Sequence, residues 1–270
     1  MVVQHNMTSM NANRQLGITV GNQAKATEKL SSGYKVNRAG DDAAGLTISE
    51  KMRSQIRGLN KASTNAEDGI SAIQTAEGAL NEAHEILQRM NELATQAAND
   101  TNTSSDRTAI KKEVDALTSE LNRISSTTQF NTMNLLDGTF TGKNLQVGAL
   151  NGQTIAISIG SMSAATLGVN SLEVSDNTKA GQSMSKIQAA ISKVSTQRSA
   201  LGALQNRLEH TVKNLDTTAE NTQAAESRIR DTDMANQMVE YSKNSILQQA
   251  GQSMLAQANS ANQGVLSLLQ

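Results

Sequence analysis

The sequence predicts a mainly α-helical protein, a long antiparallel helical coiled-coil rod formed by the N- and C-terminal halves with a small central β-hairpin region. Proline is absent, so only glycine and short polar clusters can interrupt a helix. Aromatic residues make up 1% of the 270 residues. The core must therefore be narrow and filled by aliphatic side chains, as in a seam between packed helices. Apolar residues also recur at steps of three and four in both halves, which is the helical period.

The longest apolar seam runs from Met52 to Ala97 and predicts a helix from about Leu46 to Ala98, on the order of 80 Å long. The polar segment Asn99–Arg107 ends this helix, and Asp106 is placed to favour the positive end of the next one. A shorter seam then predicts a second helix that folds back against the first; its members are Ile110, Val114, Leu117, Leu121 and Ile124.

The period changes after Phe130. The segment "KNLQVGALNGQTIAISIG" alternates apolar and polar residues on both sides of a turn at Asn151-Gly152, which predicts a β-hairpin whose register is blurred by Ala149 and Leu150. Heptads return after about Ala180 and predict another long helix, with members Ile187, Val194, Leu201, Leu208, Leu215, Thr222 and Ile229.

Both ends of the chain show a similar three–four rhythm. The N-terminal series is Ala12, Leu16, Val20 and Ala24, and the C-terminal series is Leu247, Ala250, Met254, Ala258, Ala261, Val265 and Leu268. We therefore divide the chain into five parts: an N-terminal helix and linker (1–45), rod helices (46–138), a hairpin region (139–180), a rod helix (181–232) and a C-terminal helix (233–270).

Composition excludes several classes of function. The formal net charge is -1, with 24 basic and 25 acidic residues spread along the chain, so no basic stripe favours nucleic acid. The absence of cysteine excludes disulfides and thiolate metal sites. No apolar run reaches the length that crosses a bilayer, and the N-terminus lacks a signal-peptide pattern, so export would need a route without cleavage.

Three motifs invite a chemical interpretation. "HEILQ" at His84 begins like the HExxH zinc motif, but Gln88 replaces the second histidine, so a solvated helix face is favoured over a metal site. "GTFTGKN" falls short of a phosphate-binding loop and fits a turn better. Asp41 and Asp42 could divide acid and base roles, but they precede a long helix, where carboxylates act as caps, and Gly45 with its small neighbours permits close packing. We therefore predict no catalytic residue, metal or cofactor.

The two terminal helices are expected to assemble with other copies. A lone terminal helix, or a single pair, buries too little apolar surface to offset the entropy of ordering it. We hypothesise that the termini are disordered in the monomer and fold on polymerisation. The predicted polymerisation seam consists of Leu16, Val20, Leu247, Met254, Val265 and Leu268.

Long stretches of the chain resemble bacterial flagellins. "LSSGYKVNRAGDDAAGLTISEKMRSQIRGL" (Leu30–Leu59) is similar to their N-terminal signature, and "SRIRDTDMANQMVEYSKNSILQQAGQSMLAQANSANQGVLSLLQ" (Ser227–Gln270) is similar to their C-terminal signature. "QRMNELATQAAN" and "TTQFNTMNLLDG" fit the stretch between them. One departure is Asn262, where many flagellins have proline.

The resemblance implies a subunit of a secreted, extracellular flagellar filament, in which the terminal helices form an inner tube and the DDAAG segment lies in a linker. It implies a homo-polymer, type III export, an export chaperone, a filament cap and a hook-filament junction protein as partners, with no nucleic acid and no membrane insertion. It also implies recognition by Toll-like receptor 5, for which the matching positions are Arg89, Leu93 and Glu113.

Three alternatives stay open at this point. A hook-filament junction protein shares similar termini but is a minor adaptor. An enzymatic flagellin would carry a protease in the variable region, which is short here. A secreted helical adhesin or effector would not polymerise.

Overall fold

A computed structural model describes residues 6–267, and the side chains of residues 6–260. In this range the chain forms six α-helices and two two-stranded antiparallel sheets. The helices are α1 (Met7–Ser32), α2 (Ala43–Ala97), α3 (Ser104–Thr127), α4 (Ala164–Leu167), α5 (Asn177–Arg230) and α6 (Met234–Ser267). The strands are β1 (Gln129–Phe130), β2 (Met133–Asn134), β3 (Lys143–Gln146) and β4 (Thr154–Ile157). The predicted mainly α-helical fold with a small β-hairpin region is confirmed.

The chain divides into two compact units. The terminal unit takes residues 1–54 and 221–270, and the central unit takes residues 55–220. Nearly all buried apolar side chains that the structure describes belong to the central unit; the exceptions are Ala26 and Val36. The two units therefore differ in the apolar surface that they bury within one copy.

Antiparallel pairing of α2 and α5 builds the core of the central unit. The Ser63 hydroxyl donates a hydrogen bond to Asp216 at 2.9 Å, and Glu77 lies 3.9 Å from Arg198. Residues nearer the C-terminus of α2 thus contact residues nearer the N-terminus of α5, so the two helices run antiparallel. The predicted seams fill the interface: Ile73, Leu80, Leu87, Ile187, Val194, Leu201 and Leu208 belong to one buried cluster.

Helix α3 packs on this core through its predicted apolar face. Ile110, Val114 and Leu121 are buried. The helix begins after a capping box in which the Thr103 hydroxyl accepts from the Asp106 N–H and the Asp106 carboxylate accepts from the Thr103 N–H. Asp106 therefore caps the helix start, as the sequence predicts.

The predicted hairpin lies against α2. Strands β3 and β4 pair with Leu145 opposite Ile155. A Cβ atom added to Gly58 would come within 2.8 Å of the Ala149 Cβ, and one added to Gly69 would come within 2.2 Å of a Leu145 methyl carbon. The Asn65 amide donates to the Gln146 carbonyl at 3.1 Å. Two glycines and an asparagine on one face of α2 thus seat the hairpin.

Some local features depart from the sequence analysis. The connection between β3 and β4 is longer than a two-residue turn, and Ala149 within it lies against Gly58 of α2. Gly152 takes the left-handed conformation with φ 85°. The short β1–β2 pair was not predicted. Its turn uses Asn131 and Thr132 at φ 47° and 62°, and a β-branched residue such as Thr132 rarely adopts this region.

Helices α1 and α6 pair in the terminal unit. The Asn6 amide donates to the Ala258 carbonyl at 2.8 Å, and the Ser9 hydroxyl donates to Asn259 at 2.7 Å. Near the middle of the pair, the Leu16 side chain packs over Gly251. Helix α1 ends at Gly33, whose φ of 76° is the left-handed cap that glycine favours. Helix α6 continues through position 262 to Ser267.

Candidate interaction surfaces

Large apolar side chains are exposed mainly on the terminal unit. Of the described residues, the exposed large hydrophobics outside it are Met133 and Leu150. Those within it are Met7, Met10, Ile18, Val20, Tyr34, Ile48, Met234, Met238, Val239, Ile246, Leu247 and Met254. Apolar side chains concentrated on one part of a surface indicate a site that another molecule covers.

The face that joins α1 to α6 is made mostly of small and polar residues, with a few larger apolar ones. In α1 the less exposed heptad positions are Ser9, Ala12, Leu16, Thr19, Gln23, Ala26 and Leu30. In α6 they are Gln237, Tyr241, Asn244, Gln248, Gly251, Leu255 and Ala258. We call these two series the inner seam. Most of the inner seam could not be predicted from the spacing of apolar residues, because most of its positions are polar or small.

The inner seam also leaves a groove of about 320 Å³ between the two helices. Polar side chains line most of it, among them Asn22, Lys25 and Lys29 of α1 and Gln237, Glu240, Lys243 and Asn244 of α6. The pair is therefore held by a few polar contacts and small residues rather than by a continuous apolar seam.

The residues predicted to form a polymerisation seam lie in different environments. Leu16 is half-buried in the inner seam, whereas Val20, Leu247 and Met254 are 41%, 46% and 65% exposed. Ala24 is also exposed, so the N-terminal series predicted from the sequence does not follow a single face. The side chain of Val265 and the whole of Leu268 lie outside the described residues.

Exposed apolar residues occupy three sides of α6. Val239 and Ile246 are seven residues apart and share one side, Leu247 and Met254 share a second, and Met234 and Met238 share a third. Successive residues turn by about 100° around a helix, so these sides differ from one another; Met234, seven residues before Tyr241, lies beside the end of the inner seam, and the other five residues lie outside it. A helix that is apolar on several sides is typically surrounded by packed neighbours, and α1 covers only one side.

Asp41 and Asp42 both accept hydrogen bonds from the backbone. The Asp42 carboxylate accepts from the Gly45 N–H at 2.8 Å and caps the start of α2. The Asp41 carboxylate accepts from the N–H groups of Arg38 and Asn37 at 3.0 and 3.2 Å, and these bonds hold its pKa below the usual value. A Cβ atom at Gly45 would meet the Asp42 carboxylate at 2.4 Å. Both carboxylates thus shape the chain between α1 and α2.

A cluster that we call the clasp joins the chain between α1 and α2 to the chain between α5 and α6. The Lys35 N–H donates to the Arg230 carbonyl at 2.6 Å, and the Thr232 N–H donates to the Gly33 carbonyl at 3.0 Å. The Arg230 guanidinium lies 4.7 Å from the centre of the Tyr34 ring and donates to Glu50 at 2.8 Å. This hydrogen bond lowers the pKa of Glu50, and the positive charge of Arg53 lowers it further.

The three positions predicted to contact a receptor do not share one environment. The Arg89 guanidinium donates to Glu113 at 2.9 Å and to Glu92 at 3.1 Å, and its side chain is 52% exposed. These carboxylates raise the pKa of Arg89, and the hydrogen bond to Glu113 contributes most. Leu93 is 2% exposed and lies in the core. Its side chain supports the helix from inside, so the exposed surface at this position comes from Arg89 and Glu113.

The described residues contain no metal-binding constellation. A ring nitrogen of His84 lies 2.8 Å from the Gln88 amide nitrogen, and no group of three or more His, Asp or Glu residues is arranged to hold a metal in the described range. "GTFTGKN" leads into β3 through Gly138 and Gly142, both at positive φ, rather than into the helix that follows a phosphate-binding loop. None of the helices, as far as the structure describes them, is both long and apolar enough to span a membrane.

Two family models match the chain. Residues 3–141 match the bacterial flagellin N-terminal helical region, and residues 184–269 match the bacterial flagellin C-terminal helical region. The intervening part holds β3, β4 and α4. The two matches thus lie on either side of the central hairpin region.

Full-length relatives and a solved structure agree with these matches. The chain is 54% identical over 271 residues to a flagellin of Halalkalibacterium halodurans and 52% identical over 286 residues to the flagellar filament 31.3 kDa core protein of Treponema maltophilum; each alignment covers 100% of both chains. It is 31% identical to the flagellin of Bacillus cereus in its crystal structure, with a TM-score of 0.50 over 60% of this chain and 94% of that one. By its family matches and its full-length relatives, this chain belongs to the bacterial flagellin family.

Proposed function

We propose that this chain is a structural subunit that polymerises into a bacterial flagellar filament for motility, with α1 and α6 as its main assembly surface. The observation that carries the proposal is the terminal helix pair, which places polar and small residues on its inner seam and apolar residues on the sides that face solvent. Such a pair buries its apolar residues only when further helices surround it. Copies of the same chain supply those helices in a polymer.

The five-part division of the sequence gives the layout of this subunit. Residues 1–45 pair with 233–270 as an inner-tube segment and linker, residues 46–138 and 181–232 supply the surrounding helical layer, and residues 139–180 form the short variable region. The similarity to a protein described as a flagellar filament core protein supports a filament subunit. An interface between different patches of identical copies gives an open helical polymer when its rotation does not close into a ring.

Seeded growth of purified protein tests the proposal. We expect Leu247→Asp to abolish elongation from filament fragments, because it places a charge on an apolar side of α6 that a neighbouring copy must cover. Met133→Asp is the matched control, since it makes the same kind of change at an exposed apolar residue outside the terminal unit. Normal elongation of Leu247→Asp, or no elongation of the unchanged protein, would contradict the proposal.

Abundance separates this function from that of a hook-filament junction protein. A filament subunit makes up most of the protein in sheared filaments, whereas a junction protein is present in a few copies. A secreted adhesin or effector would fail to elongate on seeds. A casein assay with zinc analysis tests the remaining alternative, an enzymatic flagellin.

Assembly outside the cell implies an export route and helper proteins. We infer that the chain leaves through the flagellar type III channel without cleavage, that a chaperone holds the C-terminal helix beforehand, and that growth occurs beneath a cap. The large exposed apolar surface of α6 supports a need for such a chaperone. Co-purification of the chaperone with the native chain, and its loss on deletion of residues 233–270, tests this step.

We further infer that the Arg89 and Glu113 surface is recognised by Toll-like receptor 5. The half-exposed ion pair on α2 and α3 favours this site, because both side chains are accessible and can exchange partners. Arg89→Ala should weaken receptor activation in a reporter cell line, while Arg123→Ala, which removes a similarly exposed arginine from α3, should not. Equal activation by the unchanged chain and Arg89→Ala would exclude this contact.

A further inference from the structure

Exposed thioethers are unevenly distributed in this chain. Among the described methionines, the exposed ones in α1 and α6 are Met7 (70%), Met10 (61%), Met234 (48%), Met238 (51%) and Met254 (65%). We call these five residues the thioether set. In the central unit Met90 and Met162 are buried, and Met133 is exposed. The set therefore makes up a large part of the exposed apolar surface of α1 and α6.

These sulfur atoms are the groups in the terminal helices most open to two-electron oxidation. The chain has no cysteine and no tryptophan, so no softer or equally accessible group competes for an oxidant. A sulfur lone pair attacks one oxygen of hydrogen peroxide, the O–O bond breaks, and the products are a methionine sulfoxide and water. A dithiol reverses the step through a sulfoxide reductase, and yields the thioether, a disulfide and water.

Oxidation changes the chemistry of the assembly surface without touching the inner seam. A sulfoxide oxygen accepts hydrogen bonds strongly and has no proton to donate, so covering it with apolar side chains leaves a polar group without a partner. No described position of the inner seam is methionine. Oxidation therefore adds no polar group to the inner seam and makes polar the sides that α1 and α6 offer to other copies.

We propose that the thioether set is a reversible oxidation site that controls assembly: peroxide converts it to sulfoxide on an unassembled copy, and the oxidised copy joins a polymer only after reduction. The inference rests on the proposed function, because the exposed sides of α1 and α6 must be the surface that other copies cover. Copies already in a polymer are protected, since their neighbours exclude the oxidant from the same sulfur atoms.

Seeded elongation with and without peroxide tests this inference. The purified full chain is treated with hydrogen peroxide, each sulfoxide is located by peptide mass spectrometry, and elongation is followed by light scattering. We expect elongation to slow by about tenfold or more when the set is oxidised, the factor that corresponds to roughly 1.4 kcal/mol of interface free energy. Incubation with a methionine sulfoxide reductase and dithiothreitol should restore it.

Leucine variants identify which sulfur atoms matter. Replacing all five members of the thioether set by leucine keeps the side chains apolar but removes the oxidisable atom, so peroxide should no longer slow elongation. Met133→Leu is the control and should stay as sensitive as the unchanged chain. Circular dichroism of the oxidised native chain should show unchanged helix content. Recovery of elongation by the reductase is measured on the native chain alone. It therefore still tests the proposal if the variant with five leucines assembles poorly.

The outcomes separate the two proposals. Failure of the untreated chain to elongate on seeds overturns the proposed function and this inference with it. Normal elongation of a chain whose five sulfoxides are verified overturns this inference alone. Equal sensitivity of the five-fold leucine variant and the native chain also overturns it, because the loss would then arise elsewhere.

Discussion

Arg230 concentrates three interactions of the clasp in one residue. Its guanidinium donates to Glu50 and lies over the Tyr34 ring, its backbone carbonyl accepts from Lys35, and its side chain is only 14% exposed. A planar guanidinium can donate in its plane and stack through its face at the same time, which a lysine ammonium cannot do. The position therefore depends on arginine and not merely on a positive charge.

We expect Arg230→Ala to lower the free energy of unfolding of the terminal unit by about 1–2 kcal/mol, through loss of the stacking and the charged hydrogen bond. Arg230→Lys should recover only part of the lost free energy of unfolding, because lysine keeps the positive charge but not the planar guanidinium. Urea unfolding followed by the fluorescence of the two tyrosines, Tyr34 and Tyr241, which both lie in the terminal unit, measures the change. If Arg230→Lys is as stable as the unchanged chain, the planar geometry does not matter here.

The capping box of α3 makes a specific pH dependence testable. The hydroxyl and the backbone N–H of Thr103 both donate to the Asp106 carboxylate and lower its pKa from the usual 3.8. Because the folded-state pKa is the lower one, the stabilisation is fully present above the unfolded-state value and is lost as pH falls through the folded-state value.

We therefore expect protection of the first amides of α3 to decline between about pH 5 and about pH 2. Asp106→Asn should reduce this decline, since its amide does not titrate. Other carboxylates with lowered pKa values, such as Asp41 and Asp137, titrate in both proteins, so the difference between the two proteins isolates Asp106. Hydrogen exchange at several pH values provides the measurement, and identical profiles would show that the cap does not contribute.

At the scale of the elements, the hairpin depends on the absence of side chains at two positions of α2. The neighbours of Gly58 are the Cβ and Cα atoms of Ala149, at 2.8 and 3.2 Å from an added Cβ, so they include backbone. The neighbour of Gly69 at close range is a leucine methyl group, which can rotate away. Gly58 therefore tolerates an added side chain less well than Gly69 does.

Gly58→Ala should destabilise the central unit by about 1–3 kcal/mol, because the strain of an overpacked contact exceeds the gain in helix propensity. Gly78→Ala on the same helix is the matched control, since nothing lies within 4 Å of its added Cβ. It should stabilise by about 0.5–1 kcal/mol. Thermal unfolding measures the stability of the two variants. A stabilising Gly58→Ala would mean that the hairpin shifts to accommodate the added methyl group.

The elements that the sequence predicts well are those with strictly periodic, buried apolar residues. The α2 seam from Met52 to Ala97 and the α5 heptads from Ile187 to Ile229 occupy the buried or half-buried positions that their spacing predicts. The pairing face of α6 escapes prediction because Gln237, Asn244 and Gln248 are polar and Gly251 has no side chain. The β1–β2 turn escapes because Thr132 is an unusual choice for positive φ.

At the scale of the whole molecule, burial is distributed unequally between the two units. The central unit contains the main buried cluster, whereas Ala26 and Val36 are the buried apolar side chains of the terminal unit in the described range. Local stability follows buried apolar contacts, so the terminal helices should open far more often than the central ones. This supports the hypothesis that the termini are disordered before assembly.

Limited trypsin digestion of the dilute, unassembled chain should cut first at Arg14, Lys25, Lys29 and Lys243, which lie on the terminal pair. Sites in the central unit should resist, because cleavage requires local unfolding. Digestion of seeded polymer provides the control, in which the terminal sites should become protected. Equal resistance of the terminal and central sites in the dilute chain would show that the terminal pair is already stable alone.

Polar contacts along and beside the inner seam fix the axial alignment of α1 against α6. Hydrogen bonds from Asn6 to Ala258 and from Ser9 to Asn259 are satisfied in one alignment, and a shift by one helical turn would leave these groups unmatched. A seam of leucines alone would tolerate such slippage more readily. Every copy therefore offers its outward methionines, valines and isoleucines at the same heights, and this uniform spacing allows a lattice of identical copies to keep a constant pitch.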